Sequence, residues 1–253
     1  VPSISVIIPA HNEPHLQRTI DSLHETAVEP IDVIVALDDY WPDEPLKQCT
    51  WIHAAREIGM RTAINMAVSQ SRSKYIMKCD GHCLFPKGWD TILKRDCEPN
   101  YVVVPKLYAL NVDTWRRWGR RREFFYIRKT DFRGVDWHKY ADRCEGQKIC
   151  DLMTFQGSCW FMEKEWFEKI GGEDDLNYGK GGREAQEISI KTWLAGGRCV
   201  LDRNVWYAHW RKPAGNSTVR RANRGKSKEY IMKRYIDKLG PLLEKFAPVP
   251  SWE

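Results

Sequence analysis

The sequence predicts an α/β fold built on a mostly parallel sheet, and three observations predict it. Ile4 to Ile8 is an unbroken apolar run that ends in the polar loop Pro9-Ala10-His11-Asn12-Glu13-Pro14. Leu16, Ile20 and Leu23 then recur at helical spacing, and Ile31 to Leu37 is a second near-continuous apolar run, closed by Asp38-Asp39. A buried strand, a covering helix and another buried strand in that order make a parallel βαβ unit, whose ligands bind beyond the C-terminal strand ends. His11, Asp38 and Asp39 are therefore expected on one rim.

Further along, Arg56 to Ser69 predicts a helix and Tyr75 to Met77 the next strand, so Asp80-Gly81-His82 reaches the same rim. A helix with Trp89, Ile92 and Leu93 on one face follows Pro86, and a strand runs from Tyr101 to Pro105. Over 108–151 the periodicity fails in a charged, aromatic-rich insertion. It resumes with Thr154 to Met162 and a helix around Trp166, Phe167 and Ile170. The loop Tyr178-Gly179-Lys180-Gly181-Gly182-Arg183 leads into a helix starting near Glu184, and Cys199 to Leu201 is a last strand. A terminal helix aligns Ile231, Tyr235 and Leu239 and is interrupted by Gly240-Pro241. This divides the chain into a core over 1–212 that carries the insertion, and a basic loop with a helical tail over 213–253.

With 253 residues, 42% of them hydrophobic, the chain can bury a sizeable core. No apolar run approaches the roughly 20 residues of a membrane span, and Ile4 to Ile8 follows without the charged start of a signal peptide. A cytoplasmic protein with no membrane partner is expected. The eight cysteines contain no Cys-x-x-Cys pair, which argues against a structural zinc; their even number would allow disulfides, but in a chain this large without a secretion signal reduced thiols are expected.

Asp80-Gly81-His82 carries chemistry of its own. A carboxylate and an imidazole at positions one and three of a turn can converge on a divalent cation, and that donor pair suits manganese or zinc better than magnesium. The alternative is an ordinary surface turn. Two basic runs stand apart from this rim. Trp115-Arg116-Arg117-Trp118-Gly119-Arg120-Arg121-Arg122 interleaves cations with rings, and Arg220-Arg221-Ala222-Asn223-Arg224 opens a second cluster. Cations neutralise phosphates and rings stack on bases, so both runs fit a polyanion; a solvated surface is the alternative.

Several separated motifs then share one resemblance. Val6-Ile7-Ile8-Pro9-Ala10-His11-Asn12-Glu13, Asp38-Asp39, Arg56-Glu57-Ile58-Gly59-Met60-Arg61, Asp80-Gly81-His82 with the trailing Gly88-Trp89, Gly182-Arg183-Glu184-Ala185-Gln186-Glu187 and Tyr207-Ala208-His209-Trp210-Arg211-Lys212 occur in this order. The chain resembles the family-two glycosyltransferases of GT-A fold, and most of all the catalytic domain of polypeptide N-acetylgalactosaminyltransferases. It departs from them at Gly181-Gly182-Arg183, where the family usually has Trp-Gly-Gly.

The resemblance implies a GT-A, Rossmann-like sheet flanked by helices, and a metal-dependent transfer from a UDP-sugar to a hydroxyl with retention of configuration. It implies Asp80, His82 and His209 as ligands of Mn2+ or another divalent cation. Pro9, Ala10, His11, Glu13, Asp38, Asp39, Arg56, Arg61, Asp80 and Gly81 would line the nucleotide. Which of Asp38 and Asp39 reads the base stays open. Glu184 would contact sugar or acceptor, with Glu187 on the same helix face; an inverting reaction would make Glu184 or Asp175 the general base. The acceptor would be polymeric. Arg116, Arg117, Trp118, Arg120, Arg121, Arg122, Arg220 and Arg221 tilt the expectation slightly to DNA bearing hydroxymethylated pyrimidines, over Ser or Thr of a protein. A reading of another class is a non-catalytic nucleic-acid-binding protein on a transferase scaffold.

Overall fold

The computed structural model describes residues 1–212 and 218–252, with the backbone alone over 218–224. Its apolar runs become the central strands. β1 (Ile4–Ala10) is followed by helix α1 (Leu16–Thr26) and by β2 (Asp32–Asp38), which pairs parallel to β1 from Ser5↔Asp32 to Ala10↔Leu37. β3 (Thr50–Ala54) adds parallel to β2 at the edge, and helix α2 (Met60–Gln70) leads back to β4 (Tyr75–Cys79), parallel to β1 on its other side.

The second half completes a mixed sheet. β5 (Cys83–Leu84), α3 (Trp89–Asp96), β6 (Tyr101–Asn111), β7 (Arg116–Arg122), β8 (Phe125–Ile127), β9 (Gly134–Asp136) and β10 (Ile149–Asp151) come first. β11 (Cys159–Glu163), α4 (Lys164–Lys169), α5 (Glu184–Leu194) and β12 (Arg198–His209) follow, then α6 (Thr218–Tyr235) and α7 (Gly240–Phe246). The sheet order is β10-β12-β6-β11-β4-β1-β2-β3, with β5 beside β12 and β7 beside β6. β12 runs parallel to β6, and β11 lies antiparallel between β4 and β6.

Alternation along each strand fills two apolar layers, because successive side chains leave opposite faces. Val6, Ile8, Val33, Val35 and Met77 pack with Leu16, Ile20 and Leu23 of α1 and with Trp89 and Leu93 of α3. Ile7, Ile34 and Ile76 face the other way, onto Ala63, Ile64 and Ala67 of α2 and Ile188 of α5. Ile231, Tyr235, Leu239 and Phe246 of the tail join this second layer. Among the described residues no helix is long and apolar enough to cross a membrane, and all eight cysteines are free thiols.

Several elements differ from expectation, three of them with a bearing on the fold's layout. The helix expected from Arg56 begins at Met60, because the Asp38 carboxylate accepts the N–H groups of Ile58 (2.6 Å) and Gly59 (3.0 Å) and holds that turn open. Gly59 stands at φ +85, and a Cβ there would lie 2.6 Å from the Lys180 backbone, so only glycine fits. Gly240-Pro241 opens α7 instead of merely interrupting a helix, since a proline in the first turn lacks only an N–H that has no helical partner. In the insertion, β6 continues to Asn111 and returns as the exposed β7.

Candidate metal and nucleotide site

Two turns and one strand end bring the candidate ligand residues Asp80, His82 and His209 together. β1, β2 and β4 run parallel and finish at the same edge, which places the loops starting at His11, Asp39 and Asp80 side by side. The Asp80 N–H is fixed on the Ser158 carbonyl at 3.0 Å. Gly81 keeps the turn against the first loop, where an added Cβ would come within 3.2 Å of Glu13 Cγ and Leu16 Cδ1. His209 arrives from the far end of the sequence. β5 follows His82 directly and pairs antiparallel with the end of β12, Cys83 opposite His209, and Trp210 N–H donates to the His82 carbonyl at 3.1 Å.

The donor atoms converge. His82 Nε2 lies 3.0 Å from His209 Nε2, which in turn lies 3.0 Å from Asp80 Oδ2. One ligand atom from each of the three residues fits within 4.8 Å of the others. Glu13 Oε2 holds Nδ1 of His82 at 2.7 Å, and Lys212 Nζ sits 2.5 Å from Glu13 Oε1. With Nδ1 hydrogen-bonded to a carboxylate, the Nε2 lone pair of His82 is turned into the cluster. One carboxylate and two facing imidazole nitrogens fit a manganese- or zinc-like cation by donor chemistry and by spacing.

At Asp80 and His209 the surrounding charge and burial favour the form that a cation would bind. Burial alone would raise Asp80, but the Lys78 ammonium, the hydrogen bond with His209 and the nearby imidazoles hold its carboxyl well below the usual range. Burial lowers His209, with Asp80 opposing, and a neutral imidazole is what a cation binds. Lys78 was not anticipated as a site residue. Its signal was legible: it is the one charge inside Tyr75-Ile76-Met77-Lys78-Cys79 and shares the Asp80 face by the two-residue strand period.

A cavity of about 330 Å³ opens over the cluster, lined by Pro9, Ala10, His11, Glu13, Asp38, Asp80, His82, His209, Arg211 and Lys212 among others. A larger groove of about 470 Å³ runs between Asn12–Gln17 and the segment 40–46; it shares Glu13 with the first but is lined by none of Asp80, His82 and His209. We place the site at the smaller cavity for that convergence. His11 Nδ1 lies 2.6 Å from the Asp38 carbonyl, which orients the ring at the rim. The two aspartates divide their roles: Asp38 is buried beneath the 58–59 turn, whereas Asp39 is exposed at φ 55. Arg56 is exposed at the start of that turn.

Arg61, expected at the nucleotide, is turned inward instead. It is 1% exposed, pairs with Glu187 and, at 2.5 Å, with Glu173, donates to the Gly182 carbonyl at 3.0 Å and stacks 3.9 Å over the Tyr178 ring. Glu187, expected near the acceptor, is fully buried in the same cluster and also binds Lys191 at 2.7 Å. Both are committed to holding the glycine-rich loop on α2 and α5, so neither reaches the cavity. Glu184 remains at the surface of a second cavity with Gly157, Gln156, Arg122 and Arg133, and one of its oxygens accepts the Gly182 N–H. Asp175 is half-buried in the segment before that loop.

The first basic run forms the β6–β7 hairpin. Arg116, Arg117, Trp118, Arg120 and Arg121 are exposed; Arg117 lies over the rings of Trp206 (4.4 Å) and Tyr108 (5.0 Å). Arg121 pairs with Glu123 at 3.4 Å and Arg122 with Asp136 at 2.7 Å. The side chains of Arg220 and Arg221 lie outside the described residues.

The chain is 29% identical over 259 residues to polypeptide N-acetylgalactosaminyltransferase 10 of Rattus norvegicus, across 88% of this chain and 41% of the relative. It is 28% identical over 225 residues to polypeptide N-acetylgalactosaminyltransferase 6 of Bos taurus, across 79% of this chain and 36% of that protein. The chain thus spans less than half the length of these relatives. Among solved structures, GalNAc-T7 with UDP, GalNAc and Mn2+ superposes with a TM-score of 0.73 at 18% identity, covering 96% of this chain and 48% of the other. A mannosyltransferase of Pyrobaculum calidifontis in complex with GDP-Man and Mn2+ gives 0.60 at 16% identity, covering 96% and 68%. These superpositions show the GT-A fold. The model of glycosyl transferase family 2 matches residues 5–171, and the chain belongs to that family.

Proposed function

We propose that this chain is a divalent-cation-dependent glycosyltransferase that moves a sugar from a UDP-sugar to a hydroxyl of a polymeric acceptor. The observation that carries the reading is the convergence of Asp80, His82 and His209 beside a cavity lined by His11, Arg211 and Lys212. The two superposed structures, GalNAc-T7 with UDP, GalNAc and Mn2+ and the mannosyltransferase in complex with GDP-Man and Mn2+, support the same donor chemistry. Bound by the three residues, a cation supplies Lewis-acid neutralisation of the charge that builds on the leaving diphosphate. Arg211 and Lys212, the latter paired with Glu13, also line that cavity and add positive charge to it. Retention requires no protein nucleophile if the leaving phosphate oxygen takes the acceptor proton, and Glu184 then serves sugar or acceptor binding.

The favoured acceptor is a Ser or Thr hydroxyl of a polypeptide. Both matched relatives are named polypeptide transferases, and two arginines of the first basic run are already paired with Glu123 and Asp136. That reverses the slight preference for DNA drawn from charge alone. Hydroxymethylated DNA stays as the second reading because Arg116, Trp118 and Arg120 are exposed on one hairpin. The intact ligand triad weighs against a non-catalytic scaffold. Mass spectrometry of a Ser/Thr peptide and of hydroxymethylated DNA after incubation with Mn2+ and a panel of UDP-sugars tests the acceptor. Mass gain on the peptide is expected; gain on the DNA alone would move the acceptor to the second reading.

A further inference from the structure

Lys78 occupies a position that folding alone does not favour. It lies in β4, a central strand paired with β1 and β11, and is 1% exposed. Its register partners are Ile7 and Trp160, both apolar. Burying an ammonium costs several kcal/mol before any pairing, and an aliphatic side chain would fill the same place without that cost. The ammonium donates to Asp80 Oδ1 and, at 2.7 Å, to the Gly157 carbonyl. The second oxygen of the same carboxylate, Oδ2, is the one that faces His209. Gly157 also borders the cavity that holds Glu184.

We infer that Lys78 is a positioning residue that reserves Oδ2 of Asp80 for the cation and offsets the carboxylate charge, so that the cation is held firmly only together with a nucleoside diphosphate. The triad has a single carboxylate, and Lys78 cancels its charge at contact distance. Two imidazoles and a neutralised carboxylate, with the nearby Glu13 carboxylate itself paired to Lys212, attract a free dication weakly. A diphosphate bound in the cavity that Arg211 and Lys212 line would supply the missing negative charge. Metal and nucleotide therefore bind with positive coupling, and each raises the other's affinity by the same factor.

The inference rests on the metal reading of the triad, and the test keeps the two apart. Mn2+ binding is measured by electron paramagnetic resonance on the full chain, with and without UDP, for the wild type and Lys78→Gln, Lys78→Met and Lys78→Arg. UDP is expected to tighten Mn2+ binding to the wild type by at least about tenfold. Removing the charge with Lys78→Gln or Lys78→Met is expected to tighten Mn2+ binding to the nucleotide-free protein about tenfold and to shrink the gain from UDP. Lys78→Arg, which keeps the charge, should behave as the wild type. Unchanged or weaker Mn2+ binding to the nucleotide-free Lys78→Gln and Lys78→Met proteins, with the UDP gain intact, overturns the inference. Mn2+ binding that persists unchanged in His82→Ala overturns the metal reading beneath it.

Discussion

Glu13 Oε2 stands 2.7 Å from Nδ1 of His82, joining the loop after the first strand to the loop after the fourth. A carboxylate on the far nitrogen of a ligating histidine fixes the tautomer and raises ligand basicity. Glu13→Ala should therefore weaken Mn2+ binding by roughly 10- to 100-fold while Asp80, His82 and His209 are all intact. Isothermal titration with Mn2+ in the presence of UDP checks this, and Glu13→Gln, which keeps a hydrogen-bonding group, should lose less.

The buried Arg61 gives a stability prediction. Arg61→Leu leaves Glu173 and Glu187 facing each other without their shared cation, in a site where burial already pushes the Glu173 carboxyl well up against the opposing pull of Arg61. Losing one partner of a buried ion cluster costs about 3–5 kcal/mol. Urea unfolding should show a loss of that order, far above what a nucleotide-contacting surface arginine would give.

A pH dependence is built in outside the cluster of Asp80, His82 and His209. Burial, followed by repulsion from Asp96, raises Asp202 to about 7, against the hydrogen bond from Asn204 N–H. A carboxyl raised in the folded state contributes stability that is complete below its unfolded value and is lost as pH rises through the folded value. Stability should thus fall between about pH 4 and pH 7 from this group. Thermal melts of Asp202→Asn should be flatter over that window and hotter than wild type at pH 8.

Exposed arginines of the hairpin separate the acceptors. If a polypeptide is the acceptor, Arg116→Ala with Arg120→Ala should leave peptide transfer within about twofold, the usual scale for surface changes. Salt-sensitive binding of hydroxymethylated DNA that is lost in the same double variant would favour the other acceptor.

The sequence made the interior legible and the edges opaque. Ile4 to Ile8, Ile31 to Leu37 and Tyr75 to Met77 announce buried strands because both faces are covered, and their shared polarity fixes where Asp80 and His82 emerge. β3 is a five-residue edge strand that turns only Ile52 and Ala54 to the core and leaves Trp51 exposed, and β7 reads Arg-Arg-Trp-Gly-Arg-Arg-Arg with no apolar face, so periodicity is too short in one and lacking in the other. His209 was reached through resemblance, since its neighbour Cys83 is distant in sequence and brought near by β5. Arg61 and Glu187 look like helix-surface charges in the chain, because the contact that buries them joins residues 126 positions apart.

The measurement closest to the central claim is UDP release from UDP-sugars by the wild type and His82→Ala, with Mn2+ and with chelator. The account predicts release that requires the cation and falls by at least about 100-fold in His82→Ala at unchanged melting temperature. Release that continues in chelator, or that His82→Ala leaves untouched, would contradict it.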